Sequence, residues 1–436
     1  MKRPTHRLLD VRRGEVGLAV SACLFFFCLL AFNYVLRPLR DEMGISGGPE
    51  KLAGLYTGTL IATLVFSPLF AWLVSRMPRA RFISITYRFF AVVLVGFYFW
   101  MRGGDIKGSI ASQAFYIWFS AFNLLLVSVF WGFIGDLFRN EQAKRLYGLI
   151  GAGGTLGAIS GSQATSWLMD RPNHPDPVTL LLLAAVLLEA CVQCMRWMSA
   201  HAPENQPQKH VVEPERPDAL TGLRLVWQKP YLRILACYML LQTICATFLY
   251  YQQANILYAQ MPDRAQRTVF LADIGVWVNS ISLCFQVLLT GKFLQRFGIV
   301  RSLLPLPLVA VGGFCGLASS GSLFAIQAAM ILSRSCEYAT AKPARETLYT
   351  VVSRAEKYQA KSFIDTFVYR GGDTVGGWAF HGLYAVAKMP LSTVAWIAVP
   401  LAGLWAVAAV ALGRRQEALA KTAETGAPVE SGAARV

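Results

Sequence analysis

Apolar residues gather in twelve stretches, each close to the length of a bilayer crossing and each bounded by polar segments. They lie at 16–36, 52–74, 82–101, 110–134, 147–169, 178–198, 231–257, 269–289, 302–319, 323–340, 362–386 and 391–412. A helix needs roughly 20 predominantly apolar residues to cross the hydrocarbon core. The pattern therefore predicts an all-α polytopic membrane protein with 12 transmembrane helices. One long polar interior segment, 199–224, holds His201, Glu204, Lys209, His210, Glu213 and four prolines, a composition that suits a flexible linker. It divides the spans six and six. The expected layout is a cytoplasmic N-terminal segment at 1–15, a six-helix bundle at 16–198, a cytoplasmic linker at 199–230, a second six-helix bundle at 231–412 and a disordered cytoplasmic tail at 413–436.

The halves echo each other. Arg76 and Arg81 after the second span are matched by Arg296 and Arg301 after the eighth, at an offset of about 220 residues. Glu141-Gln-Ala-Lys144, followed by Gly153-Gly154 and Gly157, is matched by Glu356-Lys-Tyr-Gln-Ala-Lys361, followed by Gly371-Gly372 and Gly376. Parallel half-repeats around a midplane site are how major-facilitator carriers are built.

Composition agrees: 55% of the residues are hydrophobic and the mean hydropathy is +0.44. The formal charge of +16 is an orientation signal more than a binding one. With the N-terminus inside, most Lys and Arg fall in cytoplasmic segments, as the positive-inside rule requires. The excess also favours anionic lipid and calls for no nucleic-acid partner. The basic start and first apolar run could suggest a signal peptide, but the run continues into Asn33-Tyr34-Val35-Leu36-Arg37 with no small-residue cleavage site. It reads as an uncleaved first span.

Ionisable groups inside a bilayer are costly and mark function by default. Asn33, Arg37 and Arg40 stand at i, i+4 and i+7 at the end of the first span, on one helical stripe. Pro38 among them is expected to loosen the helix and free backbone carbonyls. A guanidinium fork suits phosphate or carboxylate, so Arg40 and Arg37 are candidate substrate-binding groups; the competing reading pairs Arg37 with Asp41 at the interface. Asp365, Tyr369 and Asp373 share a face of the eleventh span beside Arg370, and the tenth carries Arg334, Glu337 and Tyr338. Asp365, Asp373, Glu337 and Arg334 are the candidates for gating or proton coupling. Glycines at 371, 372, 376 and 377 suit either a close helix approach or a break that lines a cavity. The fourth span offers Ser120, Asn123 and Ser128 on one stripe, while Arg88 in the third span and Glu189 in the sixth take a structural rather than a functional reading.

Several chemistries find no support. Gly151-Ala-Gly153-Gly154-Thr-Leu-Gly157-Ala-Ile-Ser-Gly161 lacks the Gly-Lys-Ser/Thr ending of a phosphate loop and reads as small-residue packing. The nine cysteines lie in apolar spans, where packing is their ordinary role, Cys191 and Cys194 included. There is no metal-ligand cluster, no nucleophile–base arrangement and no cofactor motif. An enzyme is not expected.

Three segments carry a family resemblance that spans nearly the whole chain. Arg37-Pro-Leu-Arg40-Asp41, then Phe130-Trp-Gly-Phe133 with Glu141-Gln-Ala-Lys144-Arg-Leu-Tyr147-Gly-Leu-Ile-Gly-Ala-Gly-Gly, and Lys361-Ser-Phe-Ile-Asp365 resemble the ATP/ADP translocases of plastids and intracellular bacteria. That family is a branch of the major facilitator superfamily. The resemblance implies a nucleotide exchanger whose cavity cations hold phosphates, with Arg40 in the place of the family's basic residue. Where the family has acids in spans four and seven, this chain reads Ser120-Ala-Phe-Asn123 and Gln252-Gln253, and span eleven has Gly372-Asp373-Thr374 in place of Gly-Lys-Ser.

The expectation is a two-bundle carrier of the bacterial inner membrane, both termini cytoplasmic, working by alternating access on a small organic anion, first a nucleotide or phosphorylated metabolite. Arg40 would hold the negative group, Asn123 and Gln253 would give neutral hydrogen bonds, and Arg370–Asp373 would form or break on closure. A proton-coupled permease for a neutral or amphipathic compound is the alternative, with Asp365 or Glu337 as proton site. A non-transporting sensor is the third reading. Carriers of this build are often monomeric, which is the expectation here.

Overall fold

The computed structural model describes residues 15–77, 79–102, 109–138, 140–201, 219–288 and 298–425. Among them every regular element is helical. Nine helices among the described residues are long and apolar enough to cross a membrane. The other three expected spans are helical but fall outside that nine, because small or charged residues dilute them. They correspond to α5 (Asn140–Met169), to α11 (Leu323–Cys336) with α12 (Lys342–Leu348), and to α13 (Arg354–Phe363) with α14 (Tyr369–His381). These are the helices that carry the glycine run and most of the candidate charges.

The chain forms two compact units: Met1–Val211 with Leu257–Ser280, and Val212–Ile256 with Ile281–Val436. The expected boundary at the linker is thus crossed by one piece, Leu257–Ser280, which belongs to the first unit.

In the first unit α1 (Val16–Ser46) is the central helix, against α4 (Ile110–Leu137), α5 and α6 (Leu180–Ala200). Helix α3 (Arg79–Met101) packs behind on α4 and α6, and α2 (Leu52–Arg76) lies along α4. The α1–α5 seam is close because α5 presents glycines. A Cβ added at Gly161 would lie 2.5 Å from the Ala31 carbonyl oxygen, and one at Gly153 would lie 3.0 Å from that of Cys23. Small residues at helical spacing let backbones approach where lipid gives no hydrophobic drive. The Phe-Trp-Gly-Phe segment is core: Phe130 stacks on Phe26 at 4.5 Å between centroids and meets Phe25 edge-on at 4.9 Å. Pro38 does not break α1, which runs unbroken from Val16 to Ser46. Proline's φ is compatible with helix, and neighbouring helices can accommodate the missing donor.

In the second unit α7 (Ala219–Gln228) and α8 (Pro230–Gln260) come first, and α8 and α9 (Arg264–Leu288) each divide between the two units. Helix α10 (Pro305–Ser320) packs on α11 and on α15 (Leu391–Thr425). Three π-helical segments interrupt the set, Glu337–Ala341, Ile364–Val368 and Gly382–Val386. Such wide turns are rare and cluster at functional sites.

Two segments expected to be irregular are helical. Within the expected linker, α7 seats Gly222 on α13, where a Cβ would lie 2.7 Å from Phe363 Cβ. Past Gly413 the last helix runs on to Thr425, with Gln416 buried and a Cβ at Gly413 falling 2.7 Å from Val300 Cγ2. Tertiary contact and a run of good helix formers outweigh the polar composition there. The rest of the linker and the tail, 202–218 and 426–436, lie outside the described residues.

Candidate functional site

The candidate groups of the first unit line the α1–α4 seam. Asn33, 8% exposed, donates through Nδ2 to Asn123 Oδ1. Two turns along α1, Arg40 donates through Nη1 to Ser120 Oγ at 2.9 Å, and its Nη2 lies 2.6 Å from Asp41 Oδ1. The guanidinium also sits 5.0 Å from the Tyr116 ring centroid. The stripe of Asn33 and Arg40 thus meets the stripe of Ser120 and Asn123, as their spacings on two helices allow. Asp41 pairs with Arg40, and the Arg37 guanidinium lies 5.8 Å from the Tyr34 ring centroid. The Arg40 side chain keeps 19% of its surface exposed, so the head is held but reachable. A guanidinium fork flanked by a hydroxyl, two amides and an aromatic face can bind an anion bearing a hydrogen-bonding ring.

The first unit also holds a cluster that sequence reasoning missed. Glu42, fully buried, accepts from Arg264 Nε and Nη2 at 3.1 Å each and from Arg267 Nη2 at 2.9 Å. Arg267 Nη1 donates to the carbonyls of Met261 and Pro262 at 2.7 and 3.2 Å. These bonds, with Gly275 pressed on Ser162, explain why Leu257–Ser280 belongs to this unit. The available signal was two arginines three residues apart beginning a span, opposite an acid that ends another.

In the second unit the glycines of α14 serve close approach to α8: a Cβ at Gly376 would lie 3.2 Å from Ile244 Cα. This places Asp373 where Thr247 Oγ1 donates to its Oδ1 at 3.2 Å. The glycines lie within an unbroken helix and serve the close approach, while the π segment Ile364–Val368 precedes them. Gln253 is 1% exposed, and neither its Nε2 nor its Oε1 has a hydrogen-bond partner among the described residues. Its neighbour Gln252, equally buried, donates to the Leu391 carbonyl at 2.8 Å. Arg334 stands in the last turn of α11, Glu337 opens the next π segment, and Arg370 is the second residue of α14.

Asp365, inside a π segment, has a buried Oδ1 without a hydrogen-bond partner among the described residues and feels the charges of Arg345 and Lys361. Arg345 was not singled out from the sequence, since the tenth span was expected to end at 340. The helix runs on through a π turn and brings it in. Lys361 is tied to Glu346 at 2.6 Å. Among the described residues no group of His, Cys, Asp and Glu is placed to hold a metal ion, and all nine cysteines are free thiols.

Polar side chains held inside long apolar helices, in two compact helical units, define a polytopic membrane protein. The family model of the Major Facilitator Superfamily matches residues 17–336, and the chain belongs to that superfamily. Among curated relatives it is similar to ADP,ATP carrier protein 1 of Chlamydia muridarum, 21% identical over 93% of this chain and 90% of that one. The Chlamydia trachomatis ADP,ATP carrier protein 1 is 22% identical over the same shares. A chloroplastic ADP,ATP carrier protein 1 of Arabidopsis thaliana is 22% identical over 58% of this chain and 45% of that one. Among solved structures, that of the nucleoside transporter NupG superposes with a TM-score of 0.61 at 14% identity, covering 94% of this chain and 100% of the other. A bacterial homologue of the iron transporter ferroportin gives 0.65 at 13%, covering 92% and 98%. At these identities the structural likeness establishes the fold.

Proposed function

We propose that the chain exchanges a nucleotide, or a close phosphorylated relative, across the bacterial inner membrane by alternating access, with both termini cytoplasmic. The observation that carries this is Arg40, fixed on Ser120 and Asp41 over the Tyr116 ring yet partly exposed, beside the Asn33–Asn123 pair. The similarity to ADP,ATP carriers over nearly the full length supports the same substrate class. Arg40 holds the phosphates, with Arg37 and Arg370 adding positive charge; Asn33, Asn123 and Gln253 take hydrogen bonds from the rest of the molecule. Asp365, Asp373, Glu337 and Arg334 change partners as the carrier turns over, Arg370 with Asp373 among them.

Neutral Asn123 and Gln253 in the place of acids leave the anion with less repulsion to overcome. The test is counterflow in proteoliposomes loaded with unlabelled nucleotides and organic phosphates. Labelled ADP or ATP enters only when nucleotide is inside, and Arg40→Ala cuts entry about a hundredfold, while Arg40→Lys retains part of it. Entry that ignores internal nucleotide and collapses with an uncoupler overturns exchange. Equal entry with Arg40→Ala overturns the assignment of Arg40.

A further inference from the structure

Arg88 and Glu189 form a bidentate pair between α3 and α6, Nε to Oε2 at 3.0 Å and Nη2 to Oε1 at 2.9 Å. Gln193 adds a bond to Oε1 from one turn along. Each partner stands near the middle of its helix, of 23 and 21 residues, so the pair lies at the depth of the hydrocarbon core. Yet the side chains are 45% and 42% exposed. The surface around them is apolar, with Ile85, Phe89 and Val92 on α3 and Val186 on α6 all exposed. This is a face turned to lipid, not a wet one.

A charge pair facing hydrocarbon is incompletely satisfied. The guanidinium has five N–H donors, of which Glu189 takes two, and the carboxylate keeps spare lone pairs. Polar groups at that depth that find no acceptor are expensive, and interior ionisable residues nearly always turn to protein. We infer that this face of α3 and α6 is a contact surface for a second copy of the chain, in a two-fold dimer where each Arg88 also donates to the partner's Glu189. The pair offers spare donors and spare acceptors side by side, so a two-fold axis satisfies both with one patch. Gly96, two turns beyond Arg88 on the same face with open space at its Cβ position, lets the helices come close. The sequence expectation of a monomer gives way to this reading, which does not depend on what the carrier moves.

The charge-swapped variant Arg88→Glu/Glu189→Arg tests it, because it keeps the pair within each chain and so keeps the fold. Full-length copies carrying donor or acceptor fluorophores after Val436 are reconstituted at high lipid excess. Wild type with wild type, and swap with swap, give energy transfer above that of an unrelated monomeric carrier at the same density. A mixture of wild type with swap gives about tenfold less, since guanidinium then meets guanidinium and carboxylate meets carboxylate. Undiminished transfer in the mixture overturns the proposal, and so does homotypic transfer at the monomer level. A benzophenone amino acid at Val92 in native membranes gives an adduct of two copies; an adduct with a different protein, or with lipid alone, overturns the second copy as occupant.

Discussion

The α1–α5 seam of the first unit and the α8–α14 contact of the second are made by the same device, yet the two units differ in what surrounds it. In both, glycines let two helices touch backbone to backbone, at Gly161 on Ala31 and at Gly376 on Ile244. In the first unit α1, α4 and α5 run without interruption and polar groups such as Asn33, Arg40 and Glu42 meet partners across helices. In the second, the spans that hold Glu337 and Asp365 widen into π turns, and Gln253, Arg345 and Asp365 each keep a buried polar atom without a hydrogen bond among the described residues. The contrast teaches a division of labour. The first unit, where Ser162 Oγ and Arg267 Nε are the kind of exception found among the described residues, is the firmer platform, whereas the unit with more spare groups retains alternatives for a substrate or a change of partner.

The strongest way to break that comparison is at Glu42. Glu42→Ala leaves Arg267, 3% exposed, with its charge buried and uncompensated, which costs about 3–5 kcal/mol. Thermal unfolding followed by exposure of buried cysteines then shifts down by several degrees. Asp365→Asn, which removes a charge but no hydrogen bond at Oδ1, shifts it far less. Equal losses at both sites would erase the distinction between a platform and a labile unit.

A sharper and smaller test is Gln253→Leu. The amide atoms have no hydrogen-bond partner among the described residues to lose, so an apolar residue of similar size leaves thermal stability unchanged or raises it. If those atoms wait for substrate, half-saturation in the counterflow assay rises about tenfold, the worth of roughly one hydrogen bond to a charged ligand. A loss of stability with unchanged half-saturation would make Gln253 a structural group.

The helical class and the placing of Asn33 and Arg40 on one helix were legible because hydropathy and period three-to-four spacing report burial directly. Packing between distant segments was not. The Phe-Trp-Gly-Phe motif, the most specific part of the family resemblance, turned out to be ring packing on Phe25 and Phe26. Contacts across helices escaped as well: that Arg40 reaches Ser120 while pairing with Asp41 depends on how α1 and α4 lie against each other, which spacing on one helix does not report. The π turns have no sequence period of their own, so Arg345 fell outside the span it extends.

The ends of the paired helices give the finest test of the comparison. In the first unit Glu15, at the head of α1, accepts from Gln142 Nε2 at 2.9 Å and Arg145 Nη2 at 3.2 Å on α5. In the second the signs are exchanged: Lys229, before α8, donates to Glu356 on α13, which also completes a capping box with Ser353. Partial burial raises the Glu356 carboxyl, but bonds from Lys229 and Ser353 outweigh it and hold the group below its ordinary value of 4.5. A carboxylate with a depressed native value contributes stability above the unfolded value and loses it as pH falls through the native one. Glu356→Gln therefore lowers the unfolding temperature by about 1–2 °C at pH 7, the scale of a half-exposed ion pair with its cap, and the gap between variant and wild type closes as pH drops below about 4.5. A gap that persists at pH 3 would assign the effect to the side chain's packing on α13, leaving the exchanged signs at the two helix heads without energetic weight.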